Sequence, residues 1–237
     1  MGAPEKPPAS RREDKLFGTP ERWVREKQFL RTYRFVAGVD EVGRGALAGP
    51  VVAAAVILPS DFDHPELADS KCLSPEKREE LYEIIVREAV SWAVARIEND
   101  VIDQIGILKA SLRAMAKALQ DLDPQPQLAL IDGRFTTPWV GLQKAIIDGD
   151  ALCRSIAAAS IIAKVTRDRI MTEAAKQFPL YSFERHKGYA TKQHLEALKA
   201  HGPCPLHRRS FRPISETERP EEAGSLRRRS FGLVFSP

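Results

Sequence analysis

The stretch Gly38-Val-Asp-Glu-Val-Gly-Arg-Gly45 constrains this chain most, because two adjacent acids end what otherwise reads as a buried strand. Arg34 to Asp40 has strand character, and Val51 to Leu58 is a nearly continuous run of small and branched apolar residues. Such a run suits a strand covered on both faces. The glycine-punctuated loop between the two predicts a hairpin. Charges in this setting cost free energy unless they are paired or bound to a cation. Neighbouring strand residues also point to opposite faces, so Asp40 and Glu41 share one site only if the strand twists or bulges.

The rest of the chain alternates strands and helices. Ser74 and Pro75 make an N-cap and first helical position, and apolar spacing carries that helix to Ala89. Ser91 to Ile97 alternates as a strand. A single helix capped by Asn99 or Asp100 then carries Ile102, Ile105, Leu108, Leu112, Met115 and Leu119 on one side. Gln127–Ile131 and Gln143–Ile147 are short apolar strands, stopped by Asp132-Gly133 and by Asp148-Gly149-Asp150. An alanine-dense helix spans Ser155–Lys176, and a shorter one His194–Ala200. The pattern predicts an α/β fold with one central mixed sheet of five strands, flanked by helices, and a helical C-terminal region. Residues 1–33 read as an N-terminal extension, disordered over the first 20 and helical over Arg22–Arg31. Residues 34–212 form the domain, and 213–237 a basic tail in which only Phe231–Phe235 is apolar.

No apolar stretch approaches the roughly 20 residues of a membrane helix, and the N-terminus lacks a signal-peptide core. A cytoplasmic location is the expectation. Cys72, Cys153 and Cys204 are far apart, which predicts reduced thiols rather than a disulfide framework or a zinc site. The net charge of +4 is a weak pointer to a polyanionic partner. Its distribution says more: Arg208-Arg209, Arg212 and Arg227-Arg228-Arg229 gather positive charge near the C-terminus, as a phosphate contact or as a solvated tail.

Asp40-Glu41, Asp132 and Asp150 all lie where apolar strands stop. Acids converging at one sheet rim repel each other unless cations bind, and oxygen-only donors suit Mg²⁺ or Mn²⁺. Two such ions about 4 Å apart can activate water against a phosphodiester. Asp132-Gly133 and Gly149-Asp150, each alone, are also ordinary turn chemistry. Gly43-Arg44-Gly45 is either a loop whose amides approach a ligand or a tight hairpin with an exposed arginine. Ser160, Lys164 and Arg167 share a helix face, as a phosphate-tracking stripe or a solvated surface. His186-Lys187-Gly188-Tyr189 is a basic and aromatic cluster on a loop, with Tyr189 a stacking residue or a plug of the core rim.

These segments, with Asp69-Ser-Lys71, Leu130-Ile-Asp-Gly133, Ser155 to Asp168 and His207-Arg-Arg-Ser-Phe211, occur in the order found in ribonuclease HII, and residues 34–211 resemble that family. The resemblance implies a ribonuclease H-like fold and hydrolysis of RNA in RNA–DNA hybrids. It also implies incision 5′ of single ribonucleotides in duplex DNA, leaving 3′-hydroxyl and 5′-phosphate ends. It assigns two divalent ions to Asp40, Glu41, Asp132 and Asp150. Gly43, Arg44 and Gly45 would read the 2′-hydroxyl, Tyr189 would sense the junction, and Lys71, Ser160, Lys164, Arg167, His186 and Lys187 would join the substrate contacts. A monomer is the expected form, with a role in removing ribonucleotides and RNA primers. Cys72 and Asp148 stand where the family commonly has lysines. Two other readings stay open from the residues: a hybrid-binding module without catalysis, and a metal phosphohydrolase for small phosphoesters.

Overall fold

The computed structural model describes residues 23–67 and 73–217. The expected disorder of the first 20 residues, the Phe231–Phe235 segment, Lys71 and Cys72 lie outside the described residues. Five strands form one sheet: β1 (Val36–Val42), β2 (Val51–Ile57), β3 (Ser91–Ile97), β4 (Leu128–Asp132) and β5 (Gln143–Ile146). Their order is β3-β2-β1-β4-β5. β1 and β2 are the predicted antiparallel hairpin, β3 continues antiparallel to β2, and β4 and β5 run parallel to β1.

Helix α1 (Val24–Leu30) precedes the sheet, α2 (Pro75–Glu88) follows β2, and Ser74 Oγ accepts from Lys77 N as the sequence suggested. The single helix expected after β3 is two, α3 (Asn99–Ile105) and α4 (Ile107–Gln120). Gly106 separates them at φ 80°, a conformation no helix residue takes. Asn99 is not a cap either. Its Nδ2 donates to the carbonyls of Pro205 and His207, a tertiary demand that overrides the local one. After β5 come α5 (Gly149–Leu152), the long α6 (Arg154–Gln177), α7 (Phe183–His186) and α8 (Lys192–His201).

The sheet is sandwiched. Ala114, Met115, Ala118 and Leu119 of α4 cover the face carrying Ala37, Val39, Ala55 and Ile131. Ile161, Ile162 and Val165 of α6, with Leu81 and Ile85 of α2, cover the face carrying Ala54 and Val56. Burial on both sides explains the apolar run of β2, every residue of which is inaccessible. α6 lies unusually close to β1: a Cβ on Gly38 would meet Ser155 C at 2.1 Å. Alanines at 157, 158, 159 and 163 permit the approach. α1 is docked at the same place. Glu26, 1% exposed, accepts from Ser155 N at the start of α6 and faces the buried Arg154. Cys153 and Cys204 are free, buried thiols. Among the described residues no helix is long and apolar enough to cross a membrane.

Candidate active site

The acids gather at one rim of the sheet because of strand register. β1 pairs with β4 as far as Val39↔Ile131, and one further step brings Asp40 beside Asp132. On its other side β1 continues its ladder with β2 through Asp40↔Ala54 and Glu41↔Ala53. The two acids are therefore held from one side and open on the other. Asp40 and Glu41 leave opposite faces of the strand, and at this open end the Glu41 charge still reaches Asp40. Both carboxylates feel the charge of Asp132.

Asp40 lies on the α6 face, where the Ser160 hydroxyl donates to its carboxylate. The spacing is simple. From Gly38 to Asp40 is about 6.6 Å of strand, and from Ser155 to Ser160 about 7.5 Å of helix, so the close contact at Gly38 delivers Ser160 to the acid. Asp40 Oδ1 also accepts from Glu41 N at 2.7 Å. Burial first, then the charges of Asp132 and Glu41, hold the Asp40 carboxyl well above the usual carboxylate range. Glu41 is raised as well, chiefly by burial, against the pull of Arg44 Nη1 at 2.9 Å from its Oε1. Asp132 Oδ1 accepts from Gly149 N at 2.8 Å, which brings the start of α5, and with it the buried Asp150, to the same rim. Asp148 turns the chain there in the left-handed region at φ 53°, which aspartate tolerates better than most residues.

Among the described residues no three His, Cys, Asp or Glu side chains are grouped so as to hold a metal ion as they stand. The donor set nevertheless fits a hard divalent cation. It is carboxylate only, and burial together with the charges of Asp132 and Glu41 holds the Asp40 carboxyl well above the usual range, a penalty that a bound cation would offset.

The predicted substrate contacts divide. Arg44 and Gly45 are exposed on the loop beside the acids. Gly43 is buried under it at φ 93°. Tyr189 is half-buried, its ring beneath the Arg167 guanidinium at 5.3 Å. Lys164 is half-buried one turn beyond Ser160 and pairs with Asp168 at 2.7 Å. Lys187 Nζ donates to Thr172 Oγ1. Two expectations are corrected. Arg167 does not reach the surface: it is 0% exposed and donates to three backbone carbonyls, so it is no part of a phosphate stripe. His186 is also buried, with Nε2 donating to Tyr181 O and Nδ1 accepting from Gly188 N. The basic C-terminal cluster loses Arg208 for the same reason, since it too is fully buried.

Beneath the Tyr189 loop is a chain of three histidines that the sequence did not foretell. His207 Nδ1 accepts from Cys204 N, the Nε2 atoms of His207 and His194 lie 3.0 Å apart, and His194 Nδ1 donates to Tyr189 O. His186 stacks on His194 at 4.4 Å. Each bond is satisfied by neutral rings, and burial with the neighbouring His194 lowers His207 to about 4.

A mixed five-stranded sheet in the order β3-β2-β1-β4-β5, with acids at the ends of β1 and β4 and just after β5, defines a hydrolase of the ribonuclease H-like fold class. The family model for ribonuclease HII matches residues 37–214, and the chain belongs to that family. The ribonuclease HII of Syntrophus aciditrophicus is 56% identical over 180 residues, 76% of this chain and 85% of that protein. That of Bacillus subtilis is 52% identical over 199 residues, covering 82% of this chain and 78% of the relative. The crystal structure of ribonuclease H2 from Pyrococcus horikoshii matches with a TM-score of 0.65 at 25% identity, over 78% of this chain and 97% of that one. The protein is accordingly an endoribonuclease acting on RNA–DNA hybrids.

Proposed function

We propose that Asp40, Glu41, Asp132 and Asp150 hold two divalent ions, Mg²⁺ or Mn²⁺. We further propose that the protein incises both long hybrids and duplex DNA carrying one ribonucleotide, on the 5′ side, leaving 3′-hydroxyl and 5′-phosphate ends. The observation that carries this reading is the mutual repulsion of Asp40, Glu41 and Asp132 at a free sheet edge, which a cation relieves. Bound there, divalent ions supply charge stabilisation at the phosphoryl group and lower the pKa of water.

The chain's own groups do the rest. Ser160 and the Glu41 amide orient Asp40, and the Gly149 amide orients Asp132. Gly43, Arg44 and Gly45 form the ribose contact, since the 2′-hydroxyl is what separates RNA from DNA. Tyr189 stacks at the junction, and Lys164 and Lys187 contribute charge toward the backbone phosphates. Removal of ribonucleotides and RNA primers from the chromosome follows as the role, with the protein acting as a monomer in the cytoplasm where bacterial DNA lies.

The competing reading is a module that binds hybrids without cutting them, and four acids at one rim speak against it, because acids repel phosphate unless a cation is bound. One assay separates the two: incision of a duplex with a single embedded ribonucleotide and of a long hybrid, with and without each metal, with the product ends identified. Incision under Mg²⁺ or Mn²⁺ is the expected result. Tight hybrid binding with no product under either ion would overturn catalysis, and full activity in Asp40→Asn would overturn its metal role.

A further inference from the structure

Two arginines stand beneath the Gly43–Pro50 loop, both 0% exposed. Arg167 of α6 donates from Nε to Pro50 O, from Nη2 to Ala48 O and from Nη1 to Lys187 O, at 2.9, 3.1 and 2.9 Å. Arg208, beyond α8, donates from Nε and Nη2 to Gly49 O at 3.0 and 2.9 Å, and from Nη1 to Arg44 O at 2.9 Å. All six bonds end on backbone carbonyls of this loop or of the neighbouring 187 position. Burial and then the charge of Arg167 push Arg208 down to about 9, so it remains cationic at neutral pH. Two like charges buried together are costly, and apolar side chains of similar volume would serve stability at least as well. The arrangement needs another reason.

The bond to Arg44 supplies one. In a planar trans peptide the carbonyl and the following N–H point in opposite directions. Arg208 draws the Arg44 carbonyl inward, so the Gly45 amide is turned outward. A Cβ on Gly45 would meet nothing within 4 Å, so that side of the loop is open. Among the described residues no protein acceptor takes the Gly45 amide. An outward amide on an open loop four residues beyond Glu41 is a donor for a sugar or phosphate oxygen. Arg167 sets the other walls. A Cβ on Gly43 would lie 2.2 Å from its Nε, and its guanidinium lies over the Tyr189 ring.

We propose that Arg208 and Arg167 are positioning residues for ribose discrimination: Arg208 aims the Gly45 amide at the sugar, and Arg167 holds Gly43 and Tyr189 around it. This rests on the loop being the ribose contact, and it adds two residues that never touch substrate.

The test compares the wild type with R208K, R208Q and R167K, with R113K on the exposed side of α4 as a control. Four quantities are measured: the melting midpoint, Mn²⁺ affinity of the free protein by calorimetry, KM and kcat on a duplex with one ribonucleotide, and Ki of the same duplex without it. The expected result is folded variants with wild-type Mn²⁺ affinity in which the ratio of Ki to KM falls about tenfold, while R113K matches the wild type. Wild-type protein that fails to incise would defeat the functional reading itself. Folded variants that keep the wild-type ratio would overturn the positioning role. So would variants of both arginines that are unfolded at the assay temperature, because the arginines would then serve stability alone.

Discussion

The Asp132 carboxylate accepts a hydrogen bond from the Gly149 amide at 2.8 Å, so the end of β4 and the start of α5 act as one unit bearing Asp132 and Asp150. Asp132→Asn keeps the acceptor and removes the charge. Incision should fall by about two orders of magnitude or more, the scale of a lost transition-state charge interaction. Metal-free stability should rise. The folded Asp40 carboxyl sits above its unfolded value partly because of Asp132, so stability is lost as pH climbs through the raised value, and the variant loses less. A melt at neutral pH should show a gain on the order of 1 kcal/mol. A lower midpoint for the variant would contradict the repulsion.

Divalent ions should stabilise the folded protein, because they neutralise acids that repel each other. At 100 times the dissociation constant the gain is about 2.7 kcal/mol. Chelation should abolish incision and return the melting midpoint to its metal-free value. Asp40→Asn should respond to Mg²⁺ or Mn²⁺ much less than the wild type does.

Gly43→Ala and Gly45→Ala should behave oppositely. At position 43 the added methyl meets the Arg167 guanidinium with φ at +93°, so both sterics and backbone oppose it. A loss of about 2 kcal/mol or more in chemical denaturation is expected. At position 45 the methyl enters open space, so the fold should be unchanged while KM for ribonucleotide-containing duplex rises. A destabilised Gly45→Ala protein would remove that contrast.

Acid should loosen the Tyr189 loop. The unfolded His207 titrates near 6.5 and the folded one at about 4, so the unfolded chain holds more protons between those values. Stability is full above pH 6.5 and falls as pH drops toward 4, by on the order of 1–3 kcal/mol. Thermal melts from pH 7.5 to 4.5 should show the decline. His207→Gln, which cannot take up that proton, should flatten it.

Much of the architecture was legible in the residues, because strand and helix periodicity are local properties. The β1–β2 hairpin, the Ser74 cap and the Ser91–Ile97 strand needed only their own stretches of chain. The break at Gly106 was missed, although a glycine inside the expected helix is the local signal that could have found it. The role of Asn99 was not legible, because its amide answers to carbonyls more than a hundred residues away. The same holds for Arg167 and Arg208. An arginine on a helix face or in a basic cluster reads as solvated, and nothing local says that backbone carbonyls from another loop will surround it.

The sequence by itself determined which acids end strands, which glycines free the loop between β1 and β2, and to which family the motif order points. These are matters of residue type and spacing along one chain. Only the tertiary structure decided that Asp40 comes to lie beside Asp132, because that depends on the register of β1 against β4. It alone decided that Ser160 reaches Asp40, through the close contact of Gly38 with α6. It also turned two expected surface arginines inward, since burial of a charge is set by the carbonyls that other segments bring to it.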